Sequence, residues 1–309
     1  MKPQRILVTG GAGFIGSTTI DLLLAEGRQV LVIDNLFSGK INNLDLCNPN
    51  LEFVEGDVLE AILIDDLLKG CDAVLHLAAI VSVPYSIENP VYSFQVNTQG
   101  FLHVLQAIKH ANRPIRLVYA SSAAVYGDTV ELPCRDDVQI TNPALSPYAL
   151  QKKHCEDYAA LYASLYGVKS LGLRYFNVYG PRQDPSSPYS GVISRFFNAY
   201  RNGSELTVFG DGKQSRDFIH VMDVALANLR ALESDYTGVL NVATGKPETL
   251  LNLIDYLGKA GGKPAIVSHA DARVGDILES YAATQLAEDK LGFRATIPLS
   301  EGIKRMLAE

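Results

Sequence analysis

The sequence predicts an α/β fold: a Rossmann-type, doubly wound parallel sheet followed by a smaller C-terminal α/β unit. Three observations carry this. Short apolar runs alternate with longer helical stretches over the first 180 residues, a glycine-rich turn joins the first run to the first stretch, and the alternation loosens after Gly180.

The candidate strands are residues 5–9, 29–33, 51–55, 73–76, 115–120 and 169–174. They are rich in Val, Ile and Leu with little polar alternation, as in strands covered on both faces. Helices are expected over 14–26, 91–110 and 147–166, the last with Pro147 in its first turn. Strand–helix alternation of this kind argues for a parallel sheet. Beyond Gly180, Pro181, Pro185 and Pro188 mark a loop between units or over a site. A helix near 191–202, strands near 206–209 and 239–242, and helices near 221–232 and 249–259 follow. The expected organisation is a dinucleotide-binding unit over 1–180 and a second unit over 181–309, some segments of which return to the first.

The 309 residues are 47% apolar and 20% charged, ordinary values for a soluble globular chain. The net charge of -7 disfavours nucleic acid as a partner. No apolar run approaches the roughly 20 residues that span a bilayer. The N-terminus leads straight into a strand, so no signal peptide is read there and a cytoplasmic location is expected. Cys47, Cys71, Cys134 and Cys155 form no C-x-x-C pair, which favours free buried thiols. The six histidines lack metal-ligand spacing, so no metal is expected.

The first strand runs into Gly10-Gly11-Ala12-Gly13-Phe14-Ile15-Gly16. This G-x-x-G-x-x-G turn lets backbone amides and a helix N-terminus approach a pyrophosphate. Alone it is weak evidence. Asp34, at the end of the second strand and 18 residues beyond Gly16, sharpens it. A carboxylate there accepts hydrogen bonds from the adenosine ribose and repels a 2′-phosphate, which favours NAD over NADP. Asp57 and Val58 after the third strand are placed to bracket the adenine, although an ordinary capping role explains Asp57 equally well.

Tyr148 and Lys152 stand four residues apart and share a helix face. A tyrosine ionises near pH 10, so a phenolate at pH 7 needs about 4 kcal/mol of stabilisation. A lysine ammonium and an oxidised nicotinamide, both positive, supply that. The pair alone is common on any helix. Ser121 and Ser122 end the strand at the carboxyl edge of the sheet, where ligands of open α/β sheets bind.

With these residues the chain resembles the extended short-chain dehydrogenase/reductases, specifically nucleotide-sugar epimerases related to UDP-galactose 4-epimerase. The resemblance covers nearly the whole chain. It rests on Gly10, Gly13 and Gly16; His76-Leu77-Ala78-Ala79; Asn97; Ser121 to Gly127; Tyr148 and Lys152; Arg174 to Arg182; Gly210 to His220; and Arg273-Val274-Gly275-Asp276. It implies Ser122, Tyr148 and Lys152 as catalytic residues. It adds Phe14, Ile15, Asn35, Leu77, Ala78, Ala79 and Asn97 to the cofactor contacts. It implies that Asn177, Arg216 and Arg273 hold a diphosphate, Phe209 stacks on uracil and Asp276 binds the uridine ribose. Ser82 and Val83, in the loop after the fourth strand, face the sugar.

The implied reaction is epimerisation at carbon 4 of a UDP-hexose through a transient 4-keto sugar. Related dehydratases and decarboxylases carry acids just after the catalytic Ser/Thr, where this chain has Ala123 and Ala124. A simple reductase and a non-catalytic NAD sensor use the same fold and stay as alternatives. In related 4-epimerases a gate residue follows the Arg-x-Gly-Asp match, and a small one admits an N-acetyl group. Here the position is Ser280, which implies UDP-GlcNAc and UDP-GalNAc; a one-residue shift would substitute Tyr281 and favour UDP-glucose. The family also implies a two-fold homodimer through the helices at 91–110 and 147–166.

Overall fold

The computed structural model describes residues 2–129, 131–141, 143–184, 191–272 and 277–308. β1 (Arg5–Thr9) runs into α1 (Phe14–Ala25), followed by β2 (Gln29–Asp34), β3 (Leu51–Glu55), α2 (Ala61–Leu68) and β4 (Ala73–His76). Two short helices, α3 (Val83–Glu88) and α4 (Pro90–Phe94), pass through a π turn at Gln95–Gln99 into α5 (Gly100–His110). β5 (Arg116–Ser122), α6 (Pro147–Tyr166) and β6 (Ser170–Tyr175) follow. The remainder holds β7 (Asn177–Tyr179), α7 (Val192–Arg201), β8 (Leu206–Phe209), β9 (Ser215–His220), α8 (Val221–Glu233) and β10 (Gly238–Val242). It continues with β11 (Pro247–Thr249), α9 (Leu250–Gly261), β12 (Val267–Ala270), β13 (Glu279–Ser280), α10 (Gln285–Leu291) and α11 (Leu299–Ala308).

Seven parallel strands form the large sheet in the order β10-β6-β5-β4-β1-β2-β3. Side chains alternate between its two faces, and both faces are buried. Ile6, Val8, Val30 and Val32 enter one core with residues of α8, while Leu7, Leu31 and Ile33 enter the other with residues of α2, α5 and α6. This explains the near-continuous apolar runs. The chain order reverses between β1 and β4, which opens a crevice at the carboxyl ends of the strands. β9 organises a second sheet with β11, β13 and β7, and β8 pairs with β12. Beneath them Tyr179, Phe196, Leu253 and Ile303 belong to a separate core. After residue 180 the chain returns to the large sheet through β10, and α8 joins α1 through Asn228 Nδ2 donating to Thr19 Oγ1 at 3.0 Å.

Two expected elements differ. The helix over 91–110 is interrupted by the π turn, which buries Val96, Asn97 and Thr98. The loop after the fourth strand contains α3, which Ser82 caps by accepting from the Tyr85 amide at 3.0 Å. β9 has no counterpart among the expected strands. Its Arg216 and Asp217 interrupt the apolar run that a strand reading requires.

The glycine turn is a steric necessity at two positions. Gly10 has φ +70°, and a Cβ there would lie 2.6 Å from the Ala78 amide nitrogen. A Cβ on Gly16 would lie 2.4 Å from the Gly10 carbonyl oxygen. Neither neighbour is a flexible side chain. Gly16→Ala is therefore expected to destabilise the fold by about 1–3 kcal/mol, the usual cost of overpacking. Urea unfolding should show a lower midpoint with an unchanged slope, and an unshifted midpoint would contradict the contact.

Candidate active site

A cleft of about 870 Å³ lies along the carboxyl edge of the large sheet. The sequence explains why its residues meet there. β1, β2, β4 and β5 all end at this edge, and α6 starts beside it. Gly10, Gly13, Phe14, Ile15 and Gly16 form its floor, and Asp34, Asn35, Asp57 and Val58 form one end. Leu77, Ala78, Ala79, Ser82 and Val83 form the wall after β4. Ser122, Tyr148 and Lys152 face it from β5 and α6, and Asn177, Arg216 and Ser280 close the far side.

The Asp34 carboxylate is buried. Oδ2 accepts from the Ala12 amide at 2.9 Å and Oδ1 from the Leu36 amide at 2.8 Å. Burial raises its pKa, and these two amides pull it back. Asn35 Nδ2 donates to Asp57 Oδ2 at 2.8 Å, and Asp57 Oδ1 accepts from the Leu59 amide.

α6 begins where its sequence says it should. Ser146 caps it by accepting from the Ala149 amide at 3.1 Å, and Gly167 ends it with φ +68°. Its buried face carries Tyr148, Gln151, Lys152, Cys155, Glu156 and Ala159, a helical stripe against the sheet. The Tyr148 amide donates to Ser86 Oγ of α3 at 3.2 Å. Burial raises the Tyr148 pKa, and a hydrogen bond with Ser122 lowers it in part. Lys152 Nζ donates to the Ala120 carbonyl at 2.9 Å, and burial lowers its pKa. In the protein alone both groups are thus pushed toward neutrality.

Behind this pair lies a buried ion pair. Arg174 Nε and Nη2 donate to the two oxygens of Glu156 at 2.8 and 2.7 Å. Ser121 Oγ donates to Glu156 Oε1 at 2.6 Å. Arg174 Nη1 donates to the Tyr126 hydroxyl at 2.9 Å, which donates to Asn241 Oδ1 at 2.7 Å. The network fixes the end of β5, and Tyr126 itself lines the cleft.

Two expected site residues stand apart from the cleft wall. Asn97 is 1% exposed and is not on the cleft wall. Its side chain pairs with the Ile80 amide at 2.7 Å, the Ile80 carbonyl at 3.0 Å and Gln151 Oε1 at 2.7 Å, so it holds the wall and does not form it. Phe209 is also absent from the described wall: it ends β8 opposite Ala270 of β12. Arg273 and Asp276 lie outside the described residues. Both candidate gate positions are among the described residues. Ser280 is on the wall in register with Arg216, whereas Tyr281 is not on the described wall. Of the cysteines, Cys47 is exposed, contrary to expectation, and the other three are buried. Among the described residues no cluster could hold a metal ion, and no helix is long and apolar enough to cross a membrane.

The structure also brings in Phe37, Lys40, Tyr85, Tyr92, Tyr126 and Asp184, which sequence reasoning did not place in the site. Phe37 and Lys40 follow Asp34 closely, and that proximity was the available signal.

A parallel sheet with its crevice at the strand-order reversal, a glycine cradle that a Cβ would fill and a buried acid at the end of β2 fit an NAD-dependent enzyme of the short-chain dehydrogenase/reductase class. The chain belongs to the NAD dependent epimerase/dehydratase family, whose pattern matches residues 6–243. It is 40% identical over 304 residues to a putative UDP-glucose 4-epimerase of Methanocaldococcus jannaschii, covering 98% of this chain and 97% of that protein. It is similar to the structure of a UDP-N-acetylglucosamine 4-epimerase from Methanobrevibacter ruminantium in complex with UDP-N-acetylmuramic acid. The TM-score is 0.94 and the identity 39%, over 100% of this chain and 98% of that one. The structure of a Thermus thermophilus UDP-glucose 4-epimerase in complex with NAD is similar with a TM-score of 0.88 and 36% identity, over 98% of both chains.

One buried residue beside the wall makes stability depend on pH. His76 is fully buried, with Nδ1 2.8 Å from Thr9 Oγ1, which also accepts from the Ala78 amide. Burial, and then the Lys152 charge, push its pKa down to about 3. The unfolded imidazole titrates near pH 6.5. Below that pH the unfolded chain binds a proton that the folded chain refuses, so stability falls as pH falls, by about 1.4 kcal/mol per pH unit. Urea unfolding at pH 7 and pH 5 should show His76→Gln losing about 2 kcal/mol less than the parent over this interval. Equal losses would remove His76 as the cause.

Proposed function

We propose that this chain interconverts UDP-GlcNAc and UDP-GalNAc at carbon 4 of the sugar, with UDP-glucose and UDP-galactose as weaker substrates. The observation that carries this reading is Ser280 on the cleft wall beside Arg216. A small side chain at this position is what the family resemblance associates with an N-acetyl sugar, and the bulkier Tyr281 is not on the described wall. The similarity to the Methanobrevibacter UDP-N-acetylglucosamine 4-epimerase supports the same choice. The similarity to the Methanocaldococcus and Thermus UDP-glucose 4-epimerases favours the plain hexoses as the second reading.

The chemistry follows from the buried pair. Tyr148 takes the proton from the sugar 4-hydroxyl while Ser122 hydrogen-bonds that oxygen. Lys152 holds its ammonium near the phenol, with Nζ 6.0 Å from the ring centroid. When bound, NAD supplies a hydride acceptor for carbon 4 and a positive ring that offsets the effect of burial on the phenol. After the keto sugar turned within the cleft, Tyr148 would return its proton to the 4-oxygen as hydride came back to the other face of carbon 4, so no net redox change would result. Asn177 and Arg216 take the diphosphate, where arginine's planar fork suits the anion. Arg273 and Asp276 join them by resemblance alone. Ala123 and Ala124 line the cleft and offer no acid or base for elimination, which favours epimerisation over dehydration.

NMR of UDP-GlcNAc with the purified protein and no added cofactor should show the galacto isomer. A stable 4-keto-6-deoxy product would instead identify a dehydratase. Tyr148→Phe should lower kcat about 100- to 10,000-fold, the usual range for general acid–base groups. Ser280→Tyr should abolish turnover of the N-acetyl sugars while UDP-glucose turnover persists; equal loss on both classes would reject the gate.

The same reading includes a two-fold dimer through α4, α5 and α6, as the family resemblance implies. Val91, Phe94, Leu161 and Leu165 support it, because they are apolar and roughly half or more exposed on those helices. Sedimentation equilibrium should give twice the chain mass, and a monomer at micromolar concentration would end this part of the reading.

A further inference from the structure

The segment after β2 crosses the cofactor cradle. Leu36 takes φ +57°, a left-handed conformation uncommon for a branched side chain. Three contacts hold the segment there. The Leu36 amide donates to Asp34 Oδ1 at 2.8 Å, the Phe37 amide to Asn35 Oδ1 at 3.0 Å and the Lys40 amide to the Ala12 carbonyl at 3.0 Å. The segment is therefore folded back onto the glycine turn itself.

From this position it reaches two other parts of the cleft. The Phe37 ring is 54% exposed, yet it packs edge-on against Tyr85 of α3 at 6.0 Å and tilted against Tyr92 of α4 at 6.1 Å. Lys40 Nζ pairs with Asp184 Oδ2 at 3.3 Å on the loop after β7, and Arg182 of that loop pairs with Asp21 of α1 at 2.8 Å. Phe37, Tyr85, Tyr92, Lys40 and Asp184 all line the cleft. An exposed aromatic ring that faces solvent on one side and two tyrosines on the other has no role in the core.

We propose that Phe37 is an aromatic clasp that slows escape of NAD. Tyr85 and Tyr92 are its catch, and the Lys40–Asp184 pair is a weaker second fastening. A dinucleotide seated on Gly10–Gly16 with its ribose at Asp34 lies under this segment, and Phe37 must leave the tyrosines before it can depart. The inference rests on NAD occupying this cleft. It assigns Phe37 a part in retention, distinct from the proton chemistry of Tyr148.

The test is the dissociation rate of NAD from the full-length holoenzyme, followed by transfer of released NAD to a coupled dehydrogenase in excess. Phe37→Ala should release NAD about tenfold faster than the parent. Phe37→Tyr, which keeps a ring, should stay within about twofold. Tyr92→Ala should speed release, and adding it to Phe37→Ala should cost little more than either change alone, because ring and catch act as one unit. Melting of the cofactor-free proteins controls for the fold, and Phe37→Tyr keeps the test valid if Phe37→Ala melts early. Unchanged release in Phe37→Ala, or fully additive effects, would overturn the clasp. A parent protein that carries no NAD and binds none would overturn the cofactor premise instead.

Discussion

The whole molecule depends on how closely three backbones meet at the glycine turn. With no Cβ at Gly10 or Gly16, the start of α1 lies directly on the turn that follows β1, and that turn comes so close to Ala78 that a Cβ on Gly10 would lie 2.6 Å from its amide nitrogen. That contact sets the height of the wall after β4. Thr9 reinforces it by linking His76 and the Ala78 amide. The Ala12 amide, presented by the same turn, fixes the Asp34 carboxylate. Floor, wall and end of the cleft are thus positioned by one steric constraint, before any ligand arrives.

The proposed reactive end is positioned differently, by burial and charge. Tyr148 and Lys152 lie under the sheet edge where desolvation disfavours either ionised form. Such a pair is primed to respond to an added positive charge. A free-standing helix face would leave both groups solvated and poorly aimed. What keeps them aimed is the bidentate Arg174–Glu156 pair, which ties α6 to β6 and, through Ser121, to the end of β5 beside Ser122. Buried ion pairs are expensive to desolvate, and removing one partner leaves the other as an uncompensated buried charge. Here each oxygen of Glu156 is engaged, and the pair sits one residue from the proposed proton acceptor's partner.

Much of the fold was legible because its strands are buried on both faces and its helices carry clear signals. The runs at β1 to β6 needed no alternation to be read, and Ser146, Pro147 and Gly167 bracket α6. Local signals failed where tertiary contacts decide. The interruption of the helix at Gln95–Gln99 follows from burying Asn97 against Ile80 and Gln151, partners 17 and 54 residues away. β9 was hidden because a strand that carries Arg216 toward a cleft breaks the apolar pattern. In the site, residues grouped by motif were found, since a turn or one helix face places them together. Phe37 and Tyr92 were not, because their meeting depends on how two loops fold over one another. Phe209 was assigned through the resemblance, and its position at the end of β8 follows from the β8–β12 pairing.

Asp34 has a consequence for the history of such an enzyme. Besides the ribose contact proposed for it, its two oxygens are structural ties, since they hold the Ala12 amide and the left-handed turn at Leu36. A lineage drifting toward a phosphorylated coenzyme would have to discard this acid, and in doing so would orphan both amides at once. New anchors would have to evolve first. Coenzyme choice is therefore coupled to the scaffold through this one side chain.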